Sequence, residues 1–258
     1  MQKPNRTLLT TDIMVQLIYH DQLDSTNRLA KELVQQGIQA GTVIQAGQQS
    51  AGRGQYDRSF LSPHGGLYFS LIVCPALQQH EVAMVTLAAG LGCRDALLER
   101  CGLTTQIKWP NDLYCSKKKI AGILSEYCMP IEPNAQAFVI VGVGLNVNSR
   151  ISDFPSELRD VVSTVRECSG QDQNMAALLW TSVAGISRRI DQLVADRATF
   201  LAQWQEADYL SGLRIQHLMR DTTLGAGIAV GIDAQCRYLF RQENGQVHTV
   251  LGGQLRLA

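Results

Sequence analysis

Apolar and polar positions along the chain change rhythm repeatedly, and each rhythm predicts an element. Residues 13–20 (IMVQLIYH) read as a first strand, rich in β-branched and aromatic side chains. Behind them Asp24, Ser25, Thr26 and Asn27 supply helix-capping side chains. Leu29, Ala30, Leu33 and Val34 then recur at helical spacing until Gly37 closes the run. GTVIQAG (41–47) and GLYFSLIV (66–73) read as strands, and residues 80–101 as a long helix ending at Gly102. TTQIKW, KIAGILSEY and QAFVIVGVGLNV form three β-rich segments, the last so continuously apolar that both its faces should be covered. Two helices fill 173–207. Past Gly212 the pattern shortens to RIQHLM, GIAVGID, CRYLFRQ and QVHTVL, separated by Gly, Asp or Asn turns. That is the signature of a small β-barrel-like module of about fifty residues. Two units are expected, 1–207 and 208–258.

Composition removes several classes of function. The 258 residues carry 23 Lys+Arg against 23 Asp+Glu, a net charge of zero, so nothing electrostatic favours DNA, RNA or an anionic membrane. The best apolar run, FVIVGVGLNV, is about half of the ~18–20 residues a bilayer span needs. MQKPNRTLLTTD lacks the apolar core of a secretory signal. The seven cysteines (74, 93, 101, 115, 128, 168, 236) form no C-x-x-C pair and read as reduced thiols of a cytoplasmic protein. Five histidines with no i,i+4 pair argue against zinc.

Two stretches carry candidate chemistry. In QSAGRGQ (49–55), Gly52 and Gly54 are expected to take backbone angles that leave N–H groups facing an anion, with Arg53 adding a permanent charged fork. KWPNDLYCSKKKIAGILSE (108–126) offers a Trp109-Pro110 corner, a lysine cluster, and a strand that opens at Lys119 and passes Gly122. Each has a plainer reading. Ser25-Thr26-Asn27 would cap any helix, glycines suit any tight turn, and Lys117 and Lys118 read best as a solvated turn. Lys119 differs, because Ala121 and Gly122 beside it would let a ligand approach the strand. Asn146 and Asn148, set on an apolar strand, must find partners or cost a few kcal/mol, as structural hubs or as ligand readers.

Read together and in order, STN, Q-x-x-GRG, KWPND, K-x-AGIL-x-E and G-x-G-x-N resemble the biotin protein ligases over most of the chain. The resemblance implies an α/β (α+β) fold, a mixed sheet flanked by helices as in biotin and lipoate ligases, followed by a small SH3-like barrel. It implies two reactions: biotin and ATP give biotinyl-5′-AMP, and a lysine of a biotin carboxyl carrier domain, such as that of acetyl-CoA carboxylase, then takes the biotin. Mg²⁺ would accompany ATP. By the same resemblance Lys119, Arg53 and Asp112 are the catalytic group. Ser25, Thr26, Asn27, Gln49, Arg53, Gly54, Gln55, Lys119 and Gly122 would meet biotin. Arg53, Phe60, Asn111, Lys119 and Asn146 would meet the adenylate, with Phe60 in place of a stacking tryptophan. Asp112 would orient the incoming lysine or a magnesium ion.

The chain departs from the family at three places. Gln55 and Asp57 stand where relatives carry arginine and glycine, Phe60 replaces tryptophan, and Ala258 occupies the place of a tail arginine if Gly253 marks the register, leaving Arg256 nearby. A lipoate-type ligase shares the chemistry, but the GRG loop and WPND favour biotin. A biotin-responsive DNA-binding regulator needs three further helices, for which the roughly two dozen residues before Ser25 are too few. The expectation is therefore a monofunctional ligase with no nucleic-acid or membrane partner, and a homodimer is left open. A non-catalytic biotin-binding protein is disfavoured by the presence of both Arg53 and Lys119.

Overall fold

The computed structural model describes residues 5–8, 14–129, 137–219 and 222–258, with the side chains of 5–8, 14, 15 and 57 outside that description. Ile13 and Gln136, the first residues of two expected strands, also lie outside the described residues, as does most of the N-terminal stretch read above for a signal.

Eight strands build one mixed sheet. In chain order they are β1 (Asn5–Leu8), β2 (Met14–Leu23), β3 (Thr42–Gln49), β4 (Leu67–Val73), β5 (Gln106–Lys108), β6 (Asp112–Cys115), β7 (Lys118–Cys128) and β8 (Phe138–Leu145). Side by side they run β1-β2-β3-β4-β8-β7-β6-β5. β2 and β3 are parallel, joined through helix α1 (Thr26–Gln35), and the other pairings are antiparallel. Helices α2 (Val82–Cys101), α3 (Val165–Ser169), α4 (Met175–Ala195) and α5 (Arg197–Ala207) follow.

The period of two along β8 sorts its side chains onto two faces. Val139, Val141, Val143 and Leu145 enter the large core with residues of α2 and α4, whereas Ile140 packs with Ala30 and Val34 of α1, Ile44 and Ile72. The near-continuous apolar run therefore does serve two covered faces. Beyond Ile140 the second face continues as Gly142 and Gly144, and the absence of side chains there opens a cleft beside the start of α1.

β9 (Arg214–Met219), β10 (Thr222–Ile232), β11 (Tyr238–Arg241), β12 (Val247–Val250) and β13 (Gln254–Leu257) form a separate five-stranded antiparallel sheet in the order β12-β11-β10-β9-β13. This fits an SH3-like module. Its buried residues Ile215, Tyr238, Phe240 and Leu255 belong to the same apolar core as the helices. Polar contacts cross the junction as well. Trp109 Nε1 donates to Cys236 O at 3.1 Å, and Gln205 Nε2 donates to Val230 O at 2.8 Å.

Several elements differ from the sequence expectation. The segment after Pro110 is not simply a corner and a turn: Asp112–Cys115 is a strand, paired with both β5 and β7. β1, β13 and the short helix α3 are further elements beyond the sequence expectation. Asn146 and Asn148 lie just past the end of β8 rather than on it. The Trp109-Pro110 peptide is cis.

Candidate active site

The cleft floor is made by three strands side by side. Register pairs Leu124 of β7 with Gly142 of β8, and Gly142 in turn with Ser70 of β4. One step along, Gly122 faces Gly144. A Cβ on Gly142 would stand 2.1 Å from Asn27 Oδ1, and one on Gly144 would stand 2.4 Å from the Phe60 ring. Both glycines are thus required by what lies on top of them.

At one end stands the start of α1. Ser25, Thr26 and Asn27 are buried yet line the cleft. The capping expectation needs correction, because the Ser25 side chain makes no capping bond. Instead Gln49 Oε1 accepts from the Thr26 backbone N–H at 2.8 Å and from its hydroxyl at 3.2 Å. Gln49 Nε2 donates to Ser62 Oγ at 3.0 Å, so this amide fastens the helix to the loop that follows β3. Asn27 Nδ2 donates to Glu126 Oε2 at 2.8 Å and to Leu124 O at 3.2 Å. Ser70 Oγ lies 2.6 Å from Asn27 Oδ1 and 2.8 Å from Thr26 Oγ1; with one proton it donates to one of them. The result is a rigid set of polar atoms whose orientations are fixed before a ligand arrives.

The glycine loop forms the wall. Arg53, Gly54, Gln55, Arg58, Ser59 and Phe60 all border the cleft. The expected role of the glycines is corrected here. Gly54 is extended (φ −114°), and its N–H donates to Arg58 O at 2.7 Å instead of facing an anion. Gly52 is needed for close approach, since a Cβ would meet Phe60 O at 2.4 Å. The positive φ falls on Tyr56. The Asp57 side chain lies outside the described residues.

Lys119 occupies the opposite side. Its Nζ is 2.7 Å from Asp112 Oδ1, an ion pair in which that oxygen lacks a well-directed hydrogen bond. The ammonium is also 5.9 Å from the Phe60 ring centroid. By strict alternation Lys119 would share the core face with Ala121 and Ile123. However, the β6–β7 register slips between Leu113 and Tyr114, leaving Ile120 as the extra residue. That bulge re-aims Lys119 toward the cleft. Asn111 Nδ2 donates to Ile123 O at 2.9 Å, holding the turn before β6.

Of the residues that the resemblance assigns to catalysis, biotin or the adenylate, Asn146 alone does not border the cleft. It is a hub: its N–H donates to Ile120 O at 2.8 Å and its Nδ2 to Ser163 O at 3.1 Å, while Oδ1 is buried with no partner among the described residues. Asn148 is satisfied by Gln173 through both amide ends. Arg58, Ser59, Ser70, Glu126, Gly142 and Gly144 were not singled out. For the two glycines the G-x-G-x-N spacing was the available signal. Lys108 was also passed over. Burial pushes its ammonium below the ordinary lysine value; nearby Asp112 opposes this shift, while Lys119 and Arg256 add to it.

Such a site can gather two anionic groups between fixed cations while a polar pocket orients one reactant. The sequence model of the biotin/lipoate A/B protein ligase family matches residues 19–146. The bifunctional ligase/repressor BirA of Bacillus subtilis is 34% identical over 242 residues, covering 92% of this chain and 73% of that protein. A biotin–[acetyl-CoA-carboxylase] ligase of Paracoccus denitrificans is 36% identical over 126 residues, 48% of this chain and 51% of its own. Among solved structures, the biotin protein ligase of Aquifex aeolicus in complex with biotin and ATP superposes with a TM-score of 0.81 at 29% identity, covering 94% of this chain and 99% of that one.

Proposed function

The chain belongs to the biotin/lipoate A/B protein ligase family, and we propose that it is an ATP-dependent biotin–protein ligase acting on a biotin carboxyl carrier domain. The observation that carries this reading is Lys119 Nζ beside Asp112 in a cleft walled by the Arg53 loop and ended by the Ser25–Asn27 turn. A biotin carboxylate oxygen attacks the α-phosphorus of ATP, the bond to the β-phosphate oxygen breaks, and pyrophosphate leaves. The ε-amino group of the carrier lysine then attacks the mixed anhydride; the C–O bond to AMP breaks, and the amine loses a proton.

The first step needs positive charge fixed in advance, because two anions must approach one another. Lys119 neutralises the carboxylate and α-phosphate as they meet, and Arg53 adds charge from the loop. Ser25, Thr26, Asn27 and Gln49 orient the biotin ring system, with Gly54, Gln55 and Gly122 against its body. Phe60 and Asn111 border the adenylate, and Asn146 serves it from behind the floor with its unmatched Oδ1. Among the described residues no group of three or more His, Cys, Asp or Glu converges, so Mg²⁺ would enter with the ATP phosphates, with Asp112 the carboxylate of the inner cleft available to it.

Residues 1–207 form the catalytic unit, and 208–258 the β-module. The zero net charge supports a reading without a nucleic-acid partner, and seven unpaired cysteines fit a reducing compartment such as the cytoplasm. Among the described residues no helix is long and apolar enough to cross a membrane. The test is direct: incubate the protein with biotin, MgATP and an apo-carrier domain and read the carrier mass. A carrier that gains biotin only when ATP is present supports the assignment, and an unchanged mass removes it.

A further inference from the structure

The loop that walls the cleft is tied to the C-terminal module at a point no motif marks. Tyr56 sits at φ 56° and ψ 42°, a left-handed backbone that a bulky residue rarely adopts unless its surroundings hold it there. Burial is not what holds it, since the residue is 62% exposed. Its hydroxyl oxygen instead accepts a hydrogen bond from the backbone N–H of Gly253 at 2.8 Å. The other end of that same peptide unit, Gly252 O, lies 2.7 Å from Nε2 of the buried His217. A carbonyl only accepts, so Nε2 carries the proton. Gly253 is at φ 93°, and a Cβ there would stand 2.3 Å from Leu218 O and 3.0 Å from His217 Nε2. Glycine alone therefore lets this peptide lie between the imidazole and the phenol.

We propose that Tyr56 and His217 are positioning residues, which act through the single peptide unit between Gly252 and Gly253 to hold the Arg53–Gln55 loop over the bound adenylate. The inference rests on the ligase reading above. Tyr56 borders the outer mouth of the cleft together with Arg53, Gly54 and Gln55, so fixing its phenol fixes the backbone that presents those side chains. Serial hydrogen bonds through one peptide polarise one another, which makes the two ends interdependent.

Tyr56→Phe keeps the ring and removes only the accepting oxygen. Bound biotinyl-adenylate, followed by filter retention, should then escape about three- to tenfold faster, the worth of one ordinary hydrogen bond. Biotin affinity should stay within about twofold, because the Asn27 pocket is untouched. His217→Leu should speed escape similarly, and adding Tyr56→Phe to it should change the rate by less than about twofold. His217→Gln, whose amide can still donate, should restore part of the lifetime. In the ligand-free protein, backbone hydrogen exchange across 52–58 should quicken in Tyr56→Phe. A wild-type adenylate lifetime in Tyr56→Phe, or fully additive losses in the double variant, overturns the proposal. If the wild-type protein forms no adenylate, the ligase reading itself fails, and the exchange experiment still decides whether the tie controls the loop.

Discussion

Replacing Lys119 by alanine tests the centre of the mechanism, because the structure specifies what would be left behind. The ammonium stands 2.7 Å from Asp112 Oδ1, with side chains 30% and 22% exposed. An incoming anion about 4 Å from Nζ gains about 4 kcal/mol at an effective dielectric near 20. Without Lys119, the same anion meets an uncompensated Asp112; at about 6 Å the repulsion is about 3 kcal/mol. Partial solvent access reduces both figures, and losing a preorganised charge of this kind typically costs about 3 kcal/mol or more. Adenylate formation should therefore slow by at least about a hundredfold. Biotin affinity should fall far less, because the Ser25–Asn27 pocket lies at the other end of the cleft. Removing the stranded charge should help: Lys119→Ala/Asp112→Asn should form adenylate about tenfold faster than Lys119→Ala alone. The assay is biotin-dependent pyrophosphate release in a single turnover, with calorimetry for biotin binding. Lys119→Ala adenylating biotin at near the wild-type rate would refute the role given to this lysine. A double variant slower than the single would refute the electrostatic account and make Asp112 a contributor in its own right.

Gly142→Ala would place a methyl 2.1 Å from Asn27 Oδ1; since Asn27 is anchored on several sides, biotin binding by calorimetry should weaken by about tenfold or more. Unchanged affinity would show that Asn27 does not read the ligand. Gln55→Arg replaces a neutral hydrogen bond by a charge-assisted one worth roughly 1–2 kcal/mol more, so bound adenylate should persist about ten times longer. Burial pushes the Asp208 carboxyl up to about 6, opposed by hydrogen bonds from Tyr238 and the Leu210 N–H. The folded state thus holds this proton more tightly than the unfolded chain, and stability falls as pH rises from about 4 to about 6, by up to about 3 kcal/mol. Asp208→Asn keeps an acceptor for Tyr238 and should gain on the wild type over that window in pH-dependent thermal melts. Parallel melting curves would mean that Asp208 ionises normally.

What the sequence determined by itself is local. Apolar spacing at 29–34 and the continuous run at 138–145 specify a helix and a doubly covered strand, because neighbouring residues set those periods without outside help. The ordered motifs carried the family and nearly the whole cleft lining with it. The tertiary structure decided how that lining works. Lys119 faces the cleft only because a bulge opposite β6 shifts it off the core face, and a bulge belongs to a pair of strands, not to one segment. Gln49, not Ser25, receives the first amide of α1, across 23 residues. The N–H of Gly54 goes to Arg58, while the strained backbone sits at Tyr56, whose partner lies 197 residues away. Hydrogen bonds and register are settled by which distant groups arrive at bonding distance, and no spacing within a motif records that.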